Sequence, residues 1–288
     1  MSKNRSLIEI HIAVLLFGLA GLFGKWLPLS PFIIVLGRVF FACLSLGLMI
    51  IVSQQRLNAS RQIDYFLFAG LGLLLVVHWV TFFKSIQVSS VAVGLLSYSS
   101  FPVFTAFLEP LFSREKPDKI IILFAVISLL GVFLVVPRFA LENRTFQGIL
   151  WGLLAGLTFS LLSIANRKLT LRYSSLIIAF YQDLFATLFL LPFFFALKPL
   201  IDVRGLCLLV ILGTLCTAGA HTLFIKGMRK IQAQTASIIS SLEPVYGIIL
   251  AFILLGERPS LRTVAGGLVI LGAAVAISFR ALKIPETK

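Results

Sequence analysis

The chain has 288 residues, of which 59% are hydrophobic, 12% are charged and 27 are phenylalanine. So few charges cannot cover a water-soluble domain of this size, which excludes a soluble fold and makes lipid the solvent. The net charge of +14 does not point to nucleic acid, because the basic residues sit in short breaks between apolar blocks with no basic stripe of interleaved aromatics; there they anchor helix ends and set orientation.

Apolar blocks of about 20 residues recur along the chain, the length a helix needs to cross a hydrocarbon core of about 30 Å. Ten are predicted, at about 7–27, 31–53, 64–84, 89–111, 118–137, 146–166, 174–197, 204–226, 232–255 and 260–280. Helices are expected because lipid offers no water to unpaired backbone groups, and the alternation of a barrel strand is missing. Lys3 and Arg5 before an apolar run imitate a secretory leader, but the run is long and further spans follow, so it reads as an uncleaved first helix. Pro28 and Pro31, Arg56 to Asp64, Arg114 to Asp118, Arg138 to Thr145, Lys198 to Arg204 and Gly256 to Ser260 mark breaks. Cys43, Cys207 and Cys216 fall inside apolar blocks without metal-ligand spacing and read as small buried hydrophobes.

When the breaks are assigned alternately to two sides, the side holding both termini collects 16 Lys and Arg and the other eight, with Arg38 inside a span. The positive-inside rule then places both termini in the cytoplasm, in a multi-pass protein of a bacterial-type inner membrane. The sequence also repeats itself weakly. At an offset of 142 residues Lys84 falls on Lys226, Pro102-Val103 on Pro244-Val245, Glu115 on Glu257 and Pro117 on Pro259. Five spans per half is an odd number, so the second half, residues 140–288, is upside down relative to the first, residues 1–139. The expected fold class is therefore an all-α membrane protein of ten transmembrane helices in two inverted five-helix repeats, meeting around a site near the midplane.

The segments SLEPVYGIILAFILLGERPS (Ser241 to Ser260) and SSFPVFTAFLEPLFSREKP (Ser99 to Pro117), each a Pro-containing helix ending in Glu and then Pro, resemble those of the drug/metabolite transporter superfamily, in its EamA branch. Length, span count and duplication extend the resemblance over nearly the whole chain. It implies a 5+5 inverted-repeat fold and movement of small organic solutes such as amino acids or related metabolites, commonly outward. One departure is Arg114-Glu115-Lys116 where the second half has Gly256-Glu257-Arg258.

A charge at the centre of a spanning helix costs about 2.5 to 3.5 kcal/mol on insertion scales, so each one present needs a reason. Glu243 stands mid-span beside Pro244, which frees a nearby carbonyl, and shares a small, polar face with Ala236, Ser240 and Gly247. It is either a packing residue bonded to a neighbouring helix or a cavity carboxylate that binds a cationic group or a proton. Tyr98, Pro102, Thr105 and Glu109 form the matching face of the fourth span; Tyr98 is the cavity candidate, and Glu109 lies near the cytoplasmic rim. His78, Thr81 and Ser85 line one face of the third span and Thr214, Thr217 and His221 one of the eighth, with inversion setting His78 toward the outside and His221 toward the cytoplasm. Glu243, Tyr98, His78, His221, Ser240 and Thr217 are thus the leading cavity residues, with Glu109, Asp183, Arg38 and Trp79 second. Arg38 is expected to snorkel toward the outer interface, and an Arg38 to Asp183 pair is conceivable. Glycines at 18, 21, 24, 152 and 156 fit close helix packing.

No metal or other cofactor is expected. Gly18 to Lys25 fails the P-loop spacing and lacks its hydroxyl, and neither a paired-His metalloprotease motif nor a nucleophile elbow occurs. The reading is a secondary transporter, not an enzyme, exporting a small amino-acid-like metabolite by alternating access, with proton coupling and with solute and membrane lipid as partners. The alternatives are an intramembrane enzyme on a lipid-borne substrate and a passive channel or complex subunit.

Overall fold

The computed structural model describes residues 3–55, 57, 62–113, 119–135, 140–231, 236, 239–240 and 242–281. The regular elements among them are helices: α1 (Lys3–Trp26), α2 (Pro31–Val52), α3 (Gln62–Val88), α4 (Val91–Tyr98), α5 (Phe101–Ser113), α6 (Lys119–Val135), α7 (Arg144–Leu169), α8 (Ser175–Leu197), α9 (Val203–Gly213), a π-helical turn (Thr214–Gly219), α10 (Ala220–Gly227), α11 (Glu243–Leu255) and α12 (Leu261–Ala281). Seven helical segments are long and apolar enough to cross a membrane, counting 91–112 and 203–227 each as one. Val126–Val135, Glu243–Leu255 and Leu261–Ala273 are shorter apolar helices. The basic residues at 56, 61, 114, 116, 138, 283 and 288, together with Glu115, Pro117 and Ser241, lie outside the described residues.

Side-chain caps start several helices. Ser90, Asn143, Ser174 and Asp202 each accept a hydrogen bond from the backbone N–H three residues on, satisfying a donor that the first turn leaves open. The prolines do not break the helices where they stand. The fourth span is interrupted at Ser99 and Ser100, and Pro102 sits in the first turn of α5, where its missing N–H has no intrahelical partner to lose. Pro244 holds the same position in α11, right after Glu243.

The bundle is inside out by the standard of a soluble protein. Leu44, Phe66, Leu130, Phe252 and Leu268 are exposed around its girth, whereas Arg38, Asp183 and Glu243 are buried. Cys207 is exposed on this apolar surface, contrary to the expectation that all three cysteines are buried. Helix α1 packs on α10 and α11, α7 packs on α3 and α4, α2 lies against α8 and α9, and α6 pairs with α12. Small residues set these approaches. A Cβ on Gly18 would lie 3.0 Å from the Glu243 carbonyl oxygen, and one on Gly156 would lie 2.9 Å from that of Tyr98, so both chain breaks rest on glycine. Hydroxyl bonds add direction: Ser85 donates to the Gly148 carbonyl at 2.6 Å and Ser160 to that of Phe101 at 2.7 Å.

Candidate functional site

The fold gathers α1, α2, α3, α7 and α10 around the start of α11 and the end of α4, and leaves a central cavity of about 30 Å³ between them. That is room for a water or two and not for a metabolite. Its wall includes Arg38, His78, Trp79, Tyr98, His221 and Glu243, with Phe17, Phe82, Phe159 and Phe224 as the apolar part. A roomier crevice of about 180 Å³ between α11 and α12 is lined by aliphatic side chains and Thr263, many with exposed outer edges. Among the described residues that line it none is charged.

Arg38 is the centre of the arrangement. The expected snorkelling does not occur: the residue is 2% exposed, and its guanidinium carbon stands 3.7 Å from the centroid of the Trp79 ring. Stacking on an indole face offsets part of the cost of burying a cation. Its Nε donates to the Thr217 hydroxyl at 3.0 Å, and Thr217 in turn donates to the Leu212 carbonyl at 2.7 Å. That second bond spans five residues and lies in the π-helical turn, which carries one more residue than an α-turn and swings Thr217 to α2. Such a bulge has no signature in the periodicity of an apolar run, so sequence reasoning missed it; π-turns recur at functional sites.

Glu243 opens α11 inside the cavity, 3% exposed, where it meets Tyr98, and its Oε2 has no hydrogen-bond partner among the described residues. Tyr98 closes α4, so the two helix breaks present the two side chains to each other. His78 Nδ1 lies 2.9 Å from the Ala155 carbonyl oxygen, which fixes the ring against Phe159, 5.2 Å between centroids, and Tyr98, 5.7 Å. His221 sets its edge on Trp79 at 5.7 Å and leaves Nδ1 without a partner. Both histidines, expected as cavity residues, flank Trp79 and line one cavity. Ser163 and Asn166 on α7 extend the lining toward the end of α7 and were not anticipated.

Four expected residues stand off the cavity wall. Ser240 is buried with its hydroxyl bonded back to the Ala236 carbonyl. Thr217 is fully buried and bonded to Arg38. Glu109 lies 3.7 Å from Arg167 in an ion pair at the end of the bundle. Asp183 is fully buried on α8, with both carboxylate oxygens unbonded; among the described residues it makes no ion pair within 4.0 Å, so the conceivable pairing with Arg38 is not formed. Arg38, held as secondary, belongs at the centre. The signal was present in the sequence, since an arginine seven residues into a span needs a partner.

Comparison with known proteins bears on what such a cavity serves. A model of the EamA-like transporter family matches residues 5–136 and again residues 146–279. The chain is 27% identical to an uncharacterized transporter, YxxF, of Bacillus subtilis over 96% of its own length and 90% of that protein's, and 24% identical to an inner membrane transporter, YicL, of Salmonella typhimurium over 96% of both. It is 26% identical to the S-adenosylmethionine uptake transporter of Rickettsia prowazekii, covering 90% of this chain and 87% of that one. A crystal structure superposes with a TM-score of 0.70 over 99% of this chain at 17% identity, which supports the fold alone. The apolar girth and spanning helices are those of a multi-pass membrane protein, and with both stretches of the chain matched by one family model, the chain belongs to the EamA-like transporter family, within the drug/metabolite transporters.

Proposed function

We propose that the protein is a secondary transporter that moves a small organic solute bearing both a cationic and an anionic group, by alternating access, with Arg38 and Glu243 as its binding charges. One observation carries the reading: a buried arginine and a buried carboxylate line the same aromatic-walled cavity without bonding each other. Each leaves hydrogen-bonding capacity for a ligand, Arg38 for a carboxylate and Glu243 for an ammonium. The aromatic rings suit a flat or cationic remainder.

The architecture we propose is ten spans in two inverted five-helix repeats, residues 1–139 and 140–288. Two features support it. The family model matches twice, and the packing of α1 on α10 and α11 is mirrored by that of α7 on α3 and α4, as a two-fold axis in the membrane plane requires. Both termini are proposed to be cytoplasmic in an inner membrane, on the excess of Lys and Arg on that side.

The relatives named for S-adenosylmethionine uptake suggest the first solute to try. That compound joins an α-amino acid zwitterion to a sulfonium and an aromatic base, and so could engage both charges and the rings. Family resemblance points outward and these names inward; a carrier runs either way with the gradients imposed on it. Glu243 is the proposed point of proton exchange, giving up its proton as a solute cation takes its place.

The test is counterflow in reconstituted vesicles with S-adenosylmethionine, phenylalanine and glucose as the panel. Saturable exchange of one of the two charged solutes, absent with glucose and lost in Arg38→Met, supports the reading. Flux that fails to saturate would make the protein a channel, and chemical conversion without flux an enzyme. Glu243→Gln, which keeps the shape of the side chain, is expected to remove the response of S-adenosylmethionine flux to an imposed pH gradient.

A further inference from the structure

Asp183 has no place in the cavity, yet it is the most thoroughly buried carboxylate described. It is 0% exposed, and neither Oδ1 nor Oδ2 has a hydrogen-bond partner among the described residues. Its helix, α8, packs against α2, α3 and α10. The charged and titratable groups those elements bring to this region are Arg38 and Cys43 from α2, His78 from α3, and Cys216 and His221 from the π-turn and α10. Arg38 lies within electrostatic reach of both Asp183 and Glu243, and no carboxylate lies within ion-pair distance of it among the described residues.

Among the described residues, the centre of the bundle therefore holds one cation that cannot lose its proton in a protein and two carboxyl groups on different helices. Both carboxyls ionised leave a net buried charge of −1, and both protonated leave +1. Only one of each gives a neutral core, and an uncompensated charge in such surroundings is the costliest arrangement available. We propose that Asp183 and Glu243 share a single proton across Arg38, with Asp183 as a second proton-holding site that never touches solute. Such a proton belongs to the pair and not to either residue.

The balance then follows for any solute. A zwitterion brings a carboxylate to Arg38 and an ammonium to Glu243; the proton leaves Glu243 for Asp183, and none is released. A solute with one further positive charge needs both carboxylates ionised, so the shared proton passes to water. This consequence rests on the transporter reading, whereas the shared proton itself does not.

The test accordingly uses no solute. Infrared spectra of the purified protein in lipid at neutral pH report the C=O stretch of a buried protonated carboxyl group. Variant-minus-wild-type differences remove the contributions of Glu9 and Asp64, which have ion-pair partners of their own. The wild type is expected to show a band of one carboxyl. Asp183→Asn and Glu243→Gln should each abolish it entirely, since the remaining carboxylate becomes the sole counter-charge of Arg38. Arg38→Met should double it. Each amide variant decides the matter alone if the other fails to fold. A band that persists in either amide variant, or is absent from the wild type, would overturn the proposal, and neither result would bear on whether the protein carries solute.

Discussion

The two ends of the bundle are held in different ways. At the end where α1 begins, charges bridge helices: Lys226 reaches Glu9 at 2.7 Å, with Arg5 alongside at 3.3 Å, Arg167 pairs with Glu109, and Arg172 and the Tyr173 hydroxyl converge on Asp64. At the other end, charged and amide side chains satisfy backbone groups. Lys25 donates to the Ser89 carbonyl at 2.9 Å, Gln87 to that of Leu29 at 2.8 Å, and the Glu257 carboxylate accepts the Val91 N–H at the N-terminus of α4. There α7 also presses Gly148 and Gly152 against Ser89 and Ser97 with no space for a side chain. Partly exposed ion pairs are weak and exchange readily with water, while close backbone packing yields only by clashing. The difference teaches that the charged end is the easier one to part, and the cavity lining runs toward it through Ser163 and Asn166.

The comparison breaks most visibly at the packed end. Gly148→Leu places a side chain on Ser89 and near the Ser85 carbonyl, and overpacking of this kind costs up to about 3 kcal/mol. A lowered melting temperature and loss of flux are expected, measured by thermal unfolding in detergent and by vesicle assay. Gly70→Ala is its control, since a Cβ at 70 would meet nothing within 4 Å; an unchanged or slightly raised melting temperature is expected there.

A smaller effect is expected at Glu257. Its carboxylate caps α4, and charge near a helix N-terminus contributes about 0.3 to 1 kcal/mol. Glu257→Ala should therefore speed hydrogen exchange in 91–98 and leave 3–26 unaffected, which peptide-resolved mass spectrometry would read. The smallest effect belongs to the charged end. Lys226→Met removes a pair worth at most about 1 kcal/mol, so stability should change little, and added salt should reproduce that change in the wild type.

Much of this was legible in the sequence, and the missing part has physical reasons. Apolar length located the seven helical segments long enough to cross a membrane, because lipid imposes it on any sequence, while the blocks at about 118–137, 232–255 and 260–280 contain shorter apolar helices among the described residues. The cost of intramembrane charge singled out Arg38, Glu109, Asp183 and Glu243, of which Glu109 pairs with Arg167 at the end of the bundle, and the offset repeat put Glu257 in a loop where it now caps α4. What could not be read was which way each charge faces. Arg38 seemed near enough to an interface to snorkel, but Thr217, turned toward it by the π-helical turn, and the Trp79 ring hold it inside. Helical spacing alone put Ser240 on the face of Glu243, whereas its hydroxyl bonds back to its own segment. Such facts depend on contacts between residues far apart in the chain, which periodicity does not carry.

The claim on which the rest depends is that cavity charges carry solute while end charges only hold helices. The direct measurement is initial counterflow of the transported solute at subsaturating concentration, in vesicles of equal protein content, for wild type, Glu243→Gln and Lys226→Met. A hydrogen bond to a charged group is worth about 1.5 to 3 kcal/mol, or roughly 10- to 100-fold in binding. Glu243→Gln should accordingly lose flux on that scale, with Lys226→Met staying within about twofold of wild type. Equal retention of flux by the two variants would contradict the account.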